Sequence, residues 1–392
     1  MAEMSRKKIL LLTLVHPDFL PPVYALAQVL RDEGCTVHIL TFDSYVPSQV
    51  DLGDDIVVET VGKHYGIGLM QRLKLRRRYT QRARVLVAEG QTAIVSFCAF
   101  TLLCGLKIKG DTPLVYNALE VADFMWSSLR RSPLSQVNNL MALRKLHKAD
   151  LLATPSVQRS AWLAGRCNMQ RLPHTVLNAA YLTAAKEDDT TAVYAGVVPA
   201  ALRAKKVILY TGAVNQRLCI LEMVQAFCKL NDSGSALVMT GMKDNEYCGQ
   251  IKTFVAASGC AERILLLPYV TRTEMLALQA NADIGVCLMR EYAHDVESAM
   301  IAPNKVGEYL VRGLYLLACR SEYMMPMAMK GIAALADTAH TDDVAIAMKG
   351  ALQEVNKEGY KERIREFVRD FYCMQQQAKP IVNFILKKGR AL

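Results

Sequence analysis

No Asp-x-Asp occurs in the 392-residue chain, and neither Cys-x-x-Cys nor a Cys/His group at zinc spacing is present. The first absence removes the usual ligand set for a divalent ion bridging a diphosphate, and the second argues against a structural zinc site. The eleven cysteines stand singly, which reads as reduced, mostly buried thiols and a cytoplasmic protein. Long apolar runs are also missing. The longest nearly uncharged stretch, residues 91–106, carries polar side chains and is too short for a bilayer. At the start, Arg6, Lys7 and Lys8 precede the apolar run 9–15. That run is short, lacks a small-residue cleavage site and ends in His16-Pro17-Asp18, so it reads as a first strand rather than a signal peptide.

Negative charge is scarce as well. Between residues 71 and 88 stand Arg72, Lys74, Arg76, Arg77, Arg78, Arg82 and Arg84 with no Asp or Glu, within a formal net charge of +10. On a helical wheel these charges run all the way round, which excludes a clean amphipathic membrane helix. Arg72, Lys74, Arg76, Arg77 and Arg78 are therefore expected against an anionic membrane surface or an acidic acceptor, a solvated helix being the plain alternative. Tyr79 is the one aromatic interleaved among them, so nucleic acid is not expected as a partner.

What is there suits two domains. Hydrophobic residues make up 52% and charged residues 21% of the chain, ample for two buried cores. Strands are predicted over 8–15, 36–42, 56–61, 93–97, 113–117, 151–154 and 175–177, with helices over 23–33, 140–148 and 156–164 between them. Residues 183–204 lose the periodicity and read as a linker. A second cycle follows, with strands over 206–211, 236–240, 263–267 and 283–288 and helices over 218–230, 245–258 and 273–281. A last helix over 361–377 places Ile364, Phe367, Val368 and Phe371 on one face. The fold class is α/β. Its expected organisation is a Rossmann-like domain over 1–182, the linker, a second over 205–360, and a terminal segment over 361–392.

The most informative stretch is Ala302-Pro303-Asn304-Lys305-Val306-Gly307-Glu308-Tyr309-Leu310, continuing through Gly313 to the apolar run 314–319. It follows a strand, so it lies at the carboxyl edge of a sheet, where open α/β sheets bind ligands. Pro303 suits the first turn of a helix. The free N–H groups of that turn and the helix dipole favour an anion. Lys305 adds a positive charge, and Glu308 offers a carboxylate to vicinal hydroxyls. Phosphate on one side and ribose on the other describe a nucleoside diphosphate.

Pro-Asn-Lys-x-x-Glu-Tyr-Leu followed by Gly-Leu resembles the donor-binding signature of the retaining glycosyltransferases of family 4, which usually reads Pro-x-Lys-x-x-Glu-Tyr-x-x-x-Gly-x-Pro. Tyr315 stands where those enzymes have Pro. The resemblance implies a GT-B fold, two facing Rossmann-like domains with a cleft between them, a terminal helix that returns to the first domain, and transfer of a sugar from a nucleotide sugar to a glycan, lipid-linked or small-molecule hydroxyl. It also implies donor-binding roles for Gly212 and Arg217 after the first strand of the second half, for Gly241 and Tyr269 after the next two, and for Asn304, Lys305 and Glu308. Leu218 breaks the family's basic-Gly pair. Another family feature, a Glu-x7-Glu pair, would place its first Glu at Met300, which leaves the sugar contact unassigned among Glu291, His294, Asp295 and Glu297.

In the N-terminal half, His16, Glu120 and Asp123 follow strands, in a region where related enzymes use a His, Asp or Glu to orient the acceptor. A turn or cap role is the plain alternative for each, and the family's glycine-rich loop is absent beside His16. No cofactor or metal is expected, so Lys305, Arg217 and the helix start would stabilise the leaving diphosphate themselves. Two rivals stay open: a sugar-nucleotide epimerase, and a non-catalytic transferase-like subunit.

Overall fold

The computed structural model describes residues 6–43, 53–120, 132–182, 188–290 and 300–388. Residues 1–181 with 374–392 form one compact unit and 182–373 another. Among the described residues, no helix is long and apolar enough to cross a membrane.

The first unit is a parallel sheet of seven strands, β1 (Lys8–Leu12), β2 (Thr36–Thr41), β3 (Ile56–Thr60), β4 (Ala93–Ser96), β5 (Leu114–Asn117), β6 (Leu151–Thr154) and β7 (His174–Thr175), in the order β3-β2-β1-β4-β5-β6-β7. Leu10 pairs with His38 on one side and Ile94 on the other. Such a strand is covered on both faces, which is why β1 reads as an unbroken apolar run. Ile9 and Leu11 enter one core with helix α1 (Pro21–Asp32) and with Met374, Ala378, Ile381, Val382 and Ile385. Leu10 and Leu12 enter the opposite core with helices α2 (Leu69–Ala88) and α3 (Ala99–Ile108).

Helix α2 buries only the stripe Leu75, Tyr79, Ala83 and Leu86. At its centre the fully buried Tyr79 sends its hydroxyl to the carbonyls of Leu40 at 2.8 Å and Thr13 at 3.1 Å. Those carbonyls end β2 and β1, so one side chain fixes the basic helix at the carboxyl edge of the sheet. Around it, Arg82 is neutralised by a forked contact with Glu59 at 2.6 and 2.9 Å, whereas Lys74, Arg77 and Arg78 face solvent.

The second unit repeats the plan with β8 (Lys206–Tyr210), β9 (Ser235–Met239), β10 (Ile264–Leu266), β11 (Ile284–Cys287), β12 (Tyr315–Cys319) and β13 (Ala333–Ala336), in the order β10-β9-β8-β11-β12-β13. One helix of this unit shows a cap that its sequence dictates. Thr271 and Glu274 close a reciprocal box at the start of the Arg272–Asn281 helix, with Glu274 accepting from the Thr271 N–H at 2.7 Å.

Four features depart from the sequence reading. The expected linker holds helices Asp188–Val197 and Ala200–Arg203, in which Tyr194, Val198 and Leu202 are buried; the neighbouring acidic run masks their four-residue spacing. Residues 99–108 are helical, but an almost uncharged sequence shows no polar face from which to read a period. The 361–377 helix breaks. Tyr360–Asp370 ends at Phe371, which is 47% exposed rather than on the buried face, and Met374 then donates its N–H to Ala180 at 2.9 Å within the first unit. Finally, Cys228 and Cys260 form a disulfide, while the other nine cysteines are free.

Tyr79→Phe removes a buried hydroxyl that hydrogen-bonds to the Thr13 carbonyl and shares the Leu40 carbonyl with the Thr13 N–H, and should lower the stability of the first unit by about 1–2 kcal/mol. Both tryptophans lie within the first 181 residues, so denaturant unfolding followed by tryptophan fluorescence reports on that unit; an unchanged midpoint would contradict the assignment.

Candidate functional site

In the second sheet the strand order reverses between β8 and β11, and the carboxyl ends of the strands at such a reversal are where open α/β sheets bind ligands. The loop after β8 carries Thr211, Gly212 and Arg217. The loop after β11 leads to the helix Asn304–Val311, with Pro303 as its N-cap rather than in its first turn.

This helix is seated on the sheet by Tyr309. Its ring lies where Gly285 of β11 has no side chain: a Cβ there would stand 2.4 Å from the Tyr309 Cδ2 atom. The Tyr309 hydroxyl, fully buried, accepts the Thr211 N–H at 2.9 Å and lies 3.0 Å from the Thr211 Oγ1. Loop and helix are thereby locked together. Burial pushes the Tyr309 hydroxyl up to about 12, with the nearby Lys305 charge opposing, so it stays a neutral hydrogen-bonding group.

One turn earlier, Lys305 places its Nζ 4.0 Å from the centroid of the Tyr210 ring, a cation–π contact that holds the amine without neutralising it. A Cβ on Gly212 would stand 3.5 Å from the same Nζ, so the amine lies against the loop backbone. Gly212 in turn presses on Gly241. A Cβ on Gly241 would meet the Gly212 carbonyl oxygen at 1.8 Å, and Gly241 adopts φ +92°, a conformation open to glycine. The Gly241 N–H is held by Pro268 at 3.1 Å, which joins the loops after β9 and β10 to the cluster. Gly212, Gly241 and Lys305 are thus brought together at the reversal, and no carboxylate pairs with Lys305 among the described residues.

Other expected donor residues are placed differently. Arg217 is half-buried in the turn Gln216–Leu218, its carbonyl accepting the Arg290 N–H at 2.7 Å. Cys219, which follows that turn, adopts the left-handed φ of +51°. Tyr269 is exposed, with Lys243 Nζ 5.2 Å from its ring centroid. Asn304 opens the helix and is half-buried.

Glu308 does not offer its carboxylate outward. The residue is buried and ion-paired with Arg272, with Gln279 Nε2 3.5 Å from its second oxygen. Burial also pushes the Arg312 guanidinium down to about 10 against the pull of Glu308. Tyr315, in place of the family's Pro, donates its N–H to Asp283 at 2.9 Å; a proline there would forfeit that ladder bond.

In the first unit, His16 is buried and caps the turn Pro17–Phe19, its Nδ1 accepting the Asp18 N–H at 3.3 Å. Glu120 is exposed beyond β5, beside Tyr116, Arg159 and Trp162. Asp123 and the group Glu291, His294, Asp295 and Glu297 lie outside the described residues. The residues the sequence reading passed over are Gly285, Arg272 and Gln279. A lone glycine inside the otherwise apolar 284–288 was the one available signal for the close approach.

No family model matches the chain, and no curated protein matches its sequence. Solved structures match it in shape. Sucrose-phosphate synthase from Thermosynechococcus elongatus gives a TM-score of 0.70 at 14% identity, covering 99% of this chain and 100% of that one. Anabaena HepE, in complex with UDP and glucose, gives 0.70 at 14% identity over 97% and 100%. A glycosyltransferase from Rickettsia africae gives 0.66 at 12% identity over 98% and 99%. The chain has the GT-B fold. At such identities the likeness is one of fold.

Two substitutions test the packing of the site. Tyr309→Phe leaves the buried Thr211 N–H without its partner and should cost about 1–3 kcal/mol. Gly241→Ala cannot be accommodated without displacing the Gly212 carbonyl. Thermal melts should therefore drop for both, and Gly241→Ala should melt as wild type only if the two loops do not touch.

Proposed function

We propose that this protein transfers a glycosyl group from a nucleoside diphosphate sugar to a hydroxyl acceptor, with the donor held in the second unit. The observation that carries the reading is the Lys305 amine, unneutralised by any described carboxylate and parked on Tyr210 against the Gly212 backbone at the strand-order reversal. The GT-B neighbours support it, among them Anabaena HepE in complex with UDP and glucose. In this reading the diphosphate rests on the Gly212 loop and the start of the Asn304–Val311 helix, whose N–H groups and dipole favour an anion. As the glycosidic bond to the β-phosphate breaks, negative charge grows on the leaving oxygen. Lys305 moves from the aromatic ring to that charge, and Arg217 adds a forked contact, so the leaving group is stabilised without a divalent ion. Gly241 and Tyr269 border the base. The signature residues favour the retaining family 4 within this class.

Glu308 reaches the ribose hydroxyls in this scheme only if Arg272 releases it. That ion pair specifically favours a second reading, a transferase-like subunit that binds a partner without catalysis.

The deciding measurement is thermal stabilisation by nucleoside diphosphates and nucleotide sugars. A ligand of the native state at about one hundred times its dissociation constant adds about 2.7 kcal/mol. Wild type should respond to one nucleotide class, and Lys305→Ala should lose most of that response while melting normally in the absence of ligand. Release of free nucleoside diphosphate in the presence of acceptor then separates catalysis from binding. No response to any nucleotide would overturn both donor binding and transfer.

A further inference from the structure

The first unit holds a second cationic centre. A cavity of about 140 Å³ opens at the carboxyl ends of β1 and β2, lined by Phe42, by His64 from the loop after β3, by Arg72 and Arg76 of α2, and by Ser132 and Ser135. The two serines stand at the start of the Pro133–Lys145 helix. Arg72 and Arg76 are one turn apart, so both guanidinium groups reach the same side of α2. Arg76 is half-buried, its guanidinium carbon 4.7 Å from the centroid of Phe100. His64 stacks on Phe42 with ring centroids 5.3 Å apart. Among the described residues no carboxylate lines the cavity, and none pairs with Arg72 or Arg76. The groups instead repel one another: burial first, then the charges of Arg72 and Arg76, hold the His64 imidazole below its ordinary range. Burial, reinforced by Arg72, likewise lowers Arg76.

We propose that this cavity binds a phosphate ester, the Arg72 and Arg76 guanidinium groups, the His64 imidazole and the Ser132 and Ser135 hydroxyls converging on the phosphoryl oxygens. Each part matches that chemistry. Two arginine forks satisfy several oxygens of a tetrahedral anion at once. Serine hydroxyls complete the shell, and an imidazole kept neutral in the empty site gains a proton when a dianion arrives. The position also separates these two arginines from the rest of the basic run. Lys74, Arg77 and Arg78 face solvent, and Arg82 belongs to Glu59. A phosphorylated acceptor for the transfer proposed above is the role this site fits, and that role rests on that reading; binding itself does not. The phosphate has two sources: a soluble sugar phosphate, or a lipid headgroup approached past the exposed Leu69, Met70 and Leu73 of α2.

Titration calorimetry with glucose 6-phosphate, with glucose as the control, tests the soluble source. Flotation with phosphatidylcholine vesicles, with and without phosphatidic acid, tests the lipid source. Wild type should bind the phosphorylated member of at least one pair and not its unphosphorylated control. Arg72→Ala, a change at an exposed position, should weaken that binding roughly tenfold or more. Arg76→Lys retains the charge and should weaken it less than Arg72→Ala does. NMR of the His64 ring should show its titration moving to higher pH in the complex. Binding of neither phosphate compound, or equal binding by wild type and Arg72→Ala, overturns the proposal. The nucleotide response of Lys305→Ala is read independently. Phosphate binding without any nucleotide response would leave this site standing and remove the transferase, and the reverse result would do the opposite.

Discussion

The contact on which the second unit's site depends is the Tyr309 hydroxyl against Thr211, made through the gap at Gly285. Without a side chain on Gly285, the Tyr309 ring packs directly against β11, and its oxygen reaches the backbone at the end of β8. One residue of the signature helix therefore spans the two strands between which the sheet order reverses. Everything else in the cluster takes its position from that seat. Lys305 stands one turn before Tyr309, so fixing the ring fixes where the amine emerges, and fixing Thr211 fixes Gly212, against which both Lys305 and Gly241 rest.

The first unit solves the same problem with a different residue. Tyr79, in the middle of a helix that carries seven arginines and lysines, reaches the Leu40 carbonyl of β2 and the Thr13 carbonyl just past β1. A buried phenol donates one proton and offers the backbone a stiff, apolar arm. It can hold a helix in register over a strand end, sharing the Leu40 carbonyl with the Thr13 N–H that also donates to it. In α2 the stripe from Leu75 to Leu86 is only four residues deep, so the seat depends on Tyr79 more than on apolar area. That is how a helix this basic is kept on the sheet.

Much of this was legible in the sequence, and the limits are physical. Parallel strands buried on both faces appear as short apolar runs, so β2 to β11 announce themselves within a residue or two, β1 is read three residues too long, and β12 shows as the apolar run 314–319. β13, Ala333–Ala336, is alanine-rich and carries little β signal. The motif around Lys305 was legible because proline, lysine and a helix start have local meanings. The direction of Glu308 was not. Its partner Arg272 lies 36 residues earlier in the chain, at the first position of another helix, and no periodicity links the two. The same holds for His64 with Arg72 and Arg76. The arginine run is conspicuous, but which of its members share a cavity depends on the one stripe that α2 buries.

Several cations at the two ends of these sheets differ in how they are held. At the amino ends two lysines are neutralised: Lys109 by Asp150 at 2.9 Å, and Lys206 by Asp283 at 3.2 Å. The same carboxylates accept an N–H at the start of the neighbouring strand, from Leu114 and from Val207, each at 2.9 Å. Each of these aspartates thus closes a strand start and cancels a charge at once. At the carboxyl ends, Lys305 in one unit and Arg72 with Arg76 in the other meet aromatic rings and hydroxyls instead of carboxylates among the described residues. A cation held over a ring is kept in place without being neutralised, and its field remains available to an incoming anion. The net charge of +10 is therefore not a uniform coat of solvated lysines. Part of it is concentrated at the edges where parallel sheets present their ligand sites, where its field favours an incoming anion.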